Sequence, residues 1–132
     1  MNELIALLIA IKEFAKDIHY NVKGLTAIEN HKFADEISDG LDDFIDEIKE
    51  ICLLGMNLRP LSSKEYMQRA LILIPELPKD DKEKFEAIQE LINNALNQIE
   101  KMEELNHACN SVVDAIAQHL QKYKGLINLI LE

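Results

Sequence analysis

Residues His31 to Glu50 read HKFADEISDGLDDFIDEIKE, and two patterns in this stretch organise the rest of the chain. Ala34, Ile37, Leu41, Ile45, Ile48 and Cys52 recur every three or four residues, which predicts the buried stripe of one long helix. About 130° round the same wheel stand His31, Asp35, Asp46 and Glu50, all within a stripe of about 100°. His31 and Asp35 are four residues apart, as are Asp46 and Glu50, so each pair sits side by side across one turn. The two pairs lie about 16 Å apart along a continuous helix, too far to meet in one chain. Two copies of the helix, antiparallel across a twofold axis, would set His31 and Asp35 of one against Asp46 and Glu50 of the other. The pattern therefore predicts an intersubunit metal site.

Working back toward the start, Leu4, Leu8, Ile11, Ala15, Ile18 and Val22 predict a first helix from about Asn2 to Lys23, stopped by Gly24. Thr26 with Glu29 reads as a capping box opening the second helix, which continues to about Leu54 and is closed by Gly55. So short a link makes the two helices an antiparallel hairpin and brings His19 near His31.

These residues carry a family resemblance. His19-Tyr20-Asn21-Val22-Lys23-Gly24, then His31, Asp35, Asp46 and Glu50, then Leu54-Gly55 and Pro60…Lys64-Glu65-Tyr66 resemble the Dps family of mini-ferritins over about residues 4–70. Tyr20 stands where that family usually has Trp. The resemblance implies a ferroxidase centre at a subunit twofold, with His19, His31 and Asp35 from one chain and Asp46 and Glu50 from its neighbour. It also implies a homo-oligomeric shell of twelve subunits built on twofold dimers. Such a shell oxidises Fe²⁺ with H₂O₂ or O₂, stores Fe³⁺ and protects against oxidative stress.

Composition sets the outer bounds. The chain has 132 residues, 48% hydrophobic and 5% aromatic with no Trp, which suits one all-α domain of packed aliphatic helices. Its formal net charge of -10 disfavours adhesion to phosphate backbones and suits the concentration of cations. The helical pattern runs from Asn2 to about Leu131 without a Lys-rich tail, so no nucleic-acid binding is expected. No apolar run is long enough to span a bilayer and none is followed by a cleavage site, so no membrane association and a cytoplasmic location are expected. Cys52 and Cys109 both fall on apolar helical positions, and buried free thiols are expected in preference to a disulfide or redox pair.

The remainder fits a ferritin-like four-helix bundle. Gly55 to Lys79 is a long connection with three prolines and a short helix that Ser62 and Glu65 can start, as a crossover between bundle ends requires. Asp80 with Glu83 predicts the third helix and Ser111 with Asp114 the start of the fourth. Two imidazoles and three carboxylates suit iron, with Zn²⁺ or Mn²⁺ as possible competitors. Asp39 and Asp42 are assigned to solvation or interface salt bridges with Lys. Glu104-x-x-His107 is set aside because a di-iron bundle needs a second such motif, and His119 has no evident partner. Two alternatives stay open: a non-catalytic ferritin-like oligomer serving as metal buffer or scaffold, and a plain helical dimer with a solvated acidic stripe.

Overall fold

A computed structural model describes Met1–Glu132, and the chain is helical throughout, with no strand. The elements are α1 (Asn2–Asn21), α2 (Ala27–Ser38), α3 (Leu41–Glu47), a π-helical segment (Ile48–Leu53), a 3-10 turn (Leu54–Met56), α4 (Ser63–Leu73), α5 (Asp81–Glu100) and α6 (His107–Leu131). No helix is long and apolar enough to cross a membrane.

α1 is the axis of the fold. It packs against α2, α3, α4 and α5, and this explains why its buried residues exceed a single stripe: Ile5, Leu7 and Phe14 are buried along with Leu4, Leu8, Ile11, Ala15 and Ile18. The expected apolar stripe from Ala34 to Cys52 is buried at all six positions. α4 adds Tyr66, whose hydroxyl donates to Asn2 Oδ1 (2.7 Å) and accepts from the Leu61 N–H (3.1 Å), tying the connecting segment to the start of α1.

Several boundaries differ from the sequence reading. The helix expected from Thr26 to Leu54 is interrupted at Asp39-Gly40, where Asp39 is extended and Gly40 takes φ +82°, a left-handed conformation in which glycine has no Cβ penalty. The break frees the Ile37 carbonyl, which His119 Nε2–H satisfies at 3.1 Å while its ring packs edge-on to Phe44 and tilted against Tyr123. His119 thus has a structural partner. Further on, the π segment replaces regular α-helix, and termination falls at Asn57 (φ +60°), not Gly55. There Leu58 N–H donates to the Leu53 carbonyl (2.9 Å) and Asn57 N–H to the Leu54 carbonyl (3.0 Å), so a left-handed Asn closes the run.

The other caps divide. Ser62 and Asp80 accept from the amides of Glu65 and Glu83, as expected. Thr26 makes no such bond; its hydroxyl accepts from the Asn30 side chain instead. α6 begins five residues before Ser111's next neighbour in pattern, Val112, because Asn106 caps the Cys109 amide (2.8 Å) and Glu104 turns the chain at φ +53°. Cys52 and Cys109 are not free thiols: they form a disulfide, made possible because the early start of α6 brings Cys109 to the end of the π segment. At a sequence separation of 57, that link restricts the unfolded chain by about 4 kcal/mol.

Candidate metal site

His19 lies in the last turn of α1 and His31 early in α2, so the tight turn through Gly24 (φ +92°) folds one onto the other. Their rings stack with centroids 3.6 Å apart and planes 18° from parallel. The bonding is reciprocal. His19 Nδ1–H donates to the His31 carbonyl (2.7 Å) and His31 Nδ1–H to the His19 carbonyl (2.5 Å). A carbonyl can only accept, so each neutral ring carries its proton on Nδ1 and keeps its lone pair on Nε2. Two imidazole donors are thereby oriented by backbone hydrogen bonds before any metal arrives.

The turn that presents this pair is anchored by residues the sequence reading passed over. Lys84, only 2% exposed, donates to the carbonyls of Asn21 (3.0 Å) and Lys79 (3.3 Å) and to Asp81 Oδ1 (2.8 Å). Asp81 Oδ2 in turn accepts the Lys23 N–H (3.1 Å). A cation at the end of α1 completes carbonyls that the helix leaves open. Burial works to raise the Asp81 pKa, but the bonds from Lys84 and Lys23 outweigh it and hold the carboxyl below the usual range. The only sign of Lys84 in the sequence was a charge in the same apolar periodicity as Ile88, Leu91 and Ala95.

Asp35 stands one turn beyond His31 but is bonded elsewhere: Lys16 Nζ lies 2.5 Å from its Oδ1. The hydrogen bond from Lys16 holds the Asp35 carboxyl below its ordinary range, and the same bond raises the Lys16 ammonium. Lys12 pairs with Asp42 at 2.9 Å within the chain, where solvation or a salt bridge at an interface was expected. His19 with His31, Lys16 with Asp35 and Lys12 with Asp42 thus form successive antiparallel rungs, and α2 and α3 keep to one edge of α1 despite the break.

Asp46 and Glu50 are exposed, and neither pairs with a Lys, Arg or His of its own chain. They do not share a continuous helix with His31 and Asp35, because the Asp39-Gly40 break separates the two pairs, and Glu50 sits in the π segment while Asp46 sits in α3. Within one chain no three His, Cys, Asp or Glu side chains gather into a metal-binding group. Glu104 and His107 are also split, the first in the left-handed turn and the second opening α6, so the Glu-x-x-His spacing does not lie on one helix. A concavity of about 720 Å³ follows the first turns of α6 past His107, Ser111 and Asp114, away from the histidine pair. Beside the pair and in the turn, Tyr20, Leu25 and Ile28 are largely exposed, with the Tyr20 ring edge-on to His19 at 4.7 Å. No protein-family model matches the chain, and no curated protein matches it either.

Proposed function

We propose that the chain is the subunit of a Dps-like ferroxidase and iron store, with His19, His31 and Asp35 of one copy facing Asp46 and Glu50 of another. In this reading α1, α2 with α3, α5 and α6 form a ferritin-like four-helix bundle and α4 rides on the crossover. The observation that carries it is the reciprocal lock of His19 and His31, which leaves both Nε2 lone pairs free beside exposed apolar side chains. An exposed Tyr20, Leu25 and Ile28 are costly in water and are covered when a second copy docks there. That copy also supplies the carboxylates the histidines lack. Twelve copies in a closed shell, assembled from such dimers, would hold the mineral.

Iron is the substrate. Two Fe²⁺ give one electron each to H₂O₂, which takes up two protons and leaves as two waters, and the Fe³⁺ passes to an acidic interior. Imidazole suits the Fe²⁺ that arrives and carboxylate oxygen the Fe³⁺ that leaves. The acidic balance of the chain does not favour nucleic acid as a partner.

Anaerobic Fe²⁺ titration of protein of known oligomeric state, followed by H₂O₂, tests the reading. Saturable binding and rapid oxidation with iron kept soluble are expected, and His31→Ala and Asp46→Ala are both expected to slow oxidation. Parental rates in both variants would refute the site. The second reading, a metal-buffering or scaffolding oligomer, draws on the Lys16 ion pair, which occupies one of the expected ligands. Binding with oxidation no faster than in buffer would favour it, whereas elution as a simple dimer would remove the shell from both.

A further inference from the structure

Cys52 and Cys109 take no part in the proposed chemistry, yet they link the segment that carries Glu50 to the first turn of α6. Both are nearly buried, at 4% and 3%, but they line a cavity of about 340 Å³ together with Leu53, Met56 and Leu105. A molecule the size of peroxide fits such a space easily. Cys52 is itself part of the π segment, and at that segment's end the Leu54 N–H is shared between the carbonyls of Lys49 and Glu50. The first is the π partner and the second the α partner, so two hydrogen-bond registers compete at this point. A covalent tie at Cys52 is placed to decide between them.

We propose that Cys52 and Cys109 are a peroxide-responsive thiol–disulfide couple, and that the disulfide holds Ile48–Leu53 in the π register and so sets the direction of Glu50. Formation is balanced as two thiols plus H₂O₂ giving one disulfide and two waters; one thiol sulfur attacks peroxide, and the second sulfur displaces the hydroxyl. A dithiol reductant returns the pair to thiols and is itself oxidised to a disulfide. In the dithiol form the segment relaxes toward the α register, and Glu50 rotates relative to Asp46, since an α turn holds fewer residues than a π turn. The consequence for metal rests on the reading of Glu50 as a ligand given above; the redox couple and the change of register do not.

The test uses the full chain in both redox forms, prepared with dithiothreitol and then with one equivalent of H₂O₂. Thiol alkylation after denaturing quench, read by mass, is expected to show both cysteines blocked by peroxide within one chain; persistent free thiols, or a disulfide that native protein will not exchange, overturns the couple. Hydrogen exchange at residues 48–54 is expected to be about tenfold slower in the disulfide form. Equal exchange in the two forms, with the Cys52→Ala/Cys109→Ala double variant as thiol-free control, overturns the register switch. Anaerobic Fe²⁺ affinity is expected to differ about fivefold between forms, and Glu50→Gln is expected to abolish the difference. Equal affinity, or a difference that survives Glu50→Gln, overturns the link to Glu50. If neither form binds Fe²⁺, the metal-site reading fails by itself, and unequal exchange at 48–54 still supports the couple.

Discussion

The two halves of the candidate site are built in opposite ways. The histidine half is finished within one chain: each ring is fixed by the other's backbone, and the turn beneath it is pinned by the buried Lys84. The carboxylate half is unfinished: Asp46 and Glu50 stand exposed without a partner, one in α3 and one in the π segment. Orienting groups before a ligand arrives lowers the ordering cost of binding, and leaving anions in water avoids burying them unpaired. The difference teaches that, in the proposed site, geometry would be set at the α1–α2 turn and Asp46 and Glu50 would supply charge.

The contrast is sharpest in double variants. His19→Ala and His31→Ala each remove a donor and the ring stacked 3.6 Å from the other, while the backbone carbonyl that holds the surviving ring stays, so each is expected to lower iron oxidation about tenfold or more, with the double variant little worse than either. Asp46→Ala and Glu50→Ala, lacking such mutual support, are expected to combine nearly independently. Stopped-flow oxidation of the four single and two double variants checks this, and additive losses in the histidine pair would break the comparison.

Stability effects follow in order of size. Lys84→Met leaves Asp81 Oδ1 and the Asn21 carbonyl without their donor and is expected to cost about 3 kcal/mol in denaturant unfolding. Its exchange signature should concentrate at the α1–α2 turn and spare Asp46. His119→Phe keeps the packing against Phe44 and Tyr123 but strands the Ile37 carbonyl, for an expected loss of about 1–2 kcal/mol. Gly40→Ala meets no neighbour, yet its φ of +82° makes the change cost about 1 kcal/mol; a stabilising result would mean that the break straightens on demand.

The smallest effect concerns Lys16. Lys16→Met frees Asp35 and is expected to raise Fe²⁺ affinity a few-fold without a measurable change in Tm, since the pair is exposed. The pH dependence has a definite sign. The lowered Asp35 carboxyl makes the ion pair's contribution present above the ordinary value of 3.8 and lost as pH falls through the folded value. The raised Lys16 ammonium makes it present below 10.5 and lost as pH rises through its folded value. The variant's advantage in Fe²⁺ affinity should therefore persist across neutral pH.

Periodicity identified the buried stripe from Ala34 to Cys52 correctly because burial depends on which side of the chain faces α1, and that survives a local break. It misjudged continuity. A single Gly within an apolar repeat gives no reason to expect φ +82° until His119, 82 residues beyond Ile37, is seen to satisfy the Ile37 carbonyl that the break exposes. The Asp80 and Ser62 caps were legible because each bonds an amide three residues on, whereas Thr26 looked the same and bonds Asn30 instead.

The sequence by itself determined the all-helical class, the hairpin that brings His19 to His31 and the faces that are buried, because these depend on interactions between residues close along the chain. Only the tertiary structure decided the tautomers of the histidines, the engagement of Asp35 by Lys16, the pinning of the turn by Lys84, and the Cys52–Cys109 bond. Each of these depends on a partner from a different helix, and no local pattern specifies which side chain a distant helix will bring.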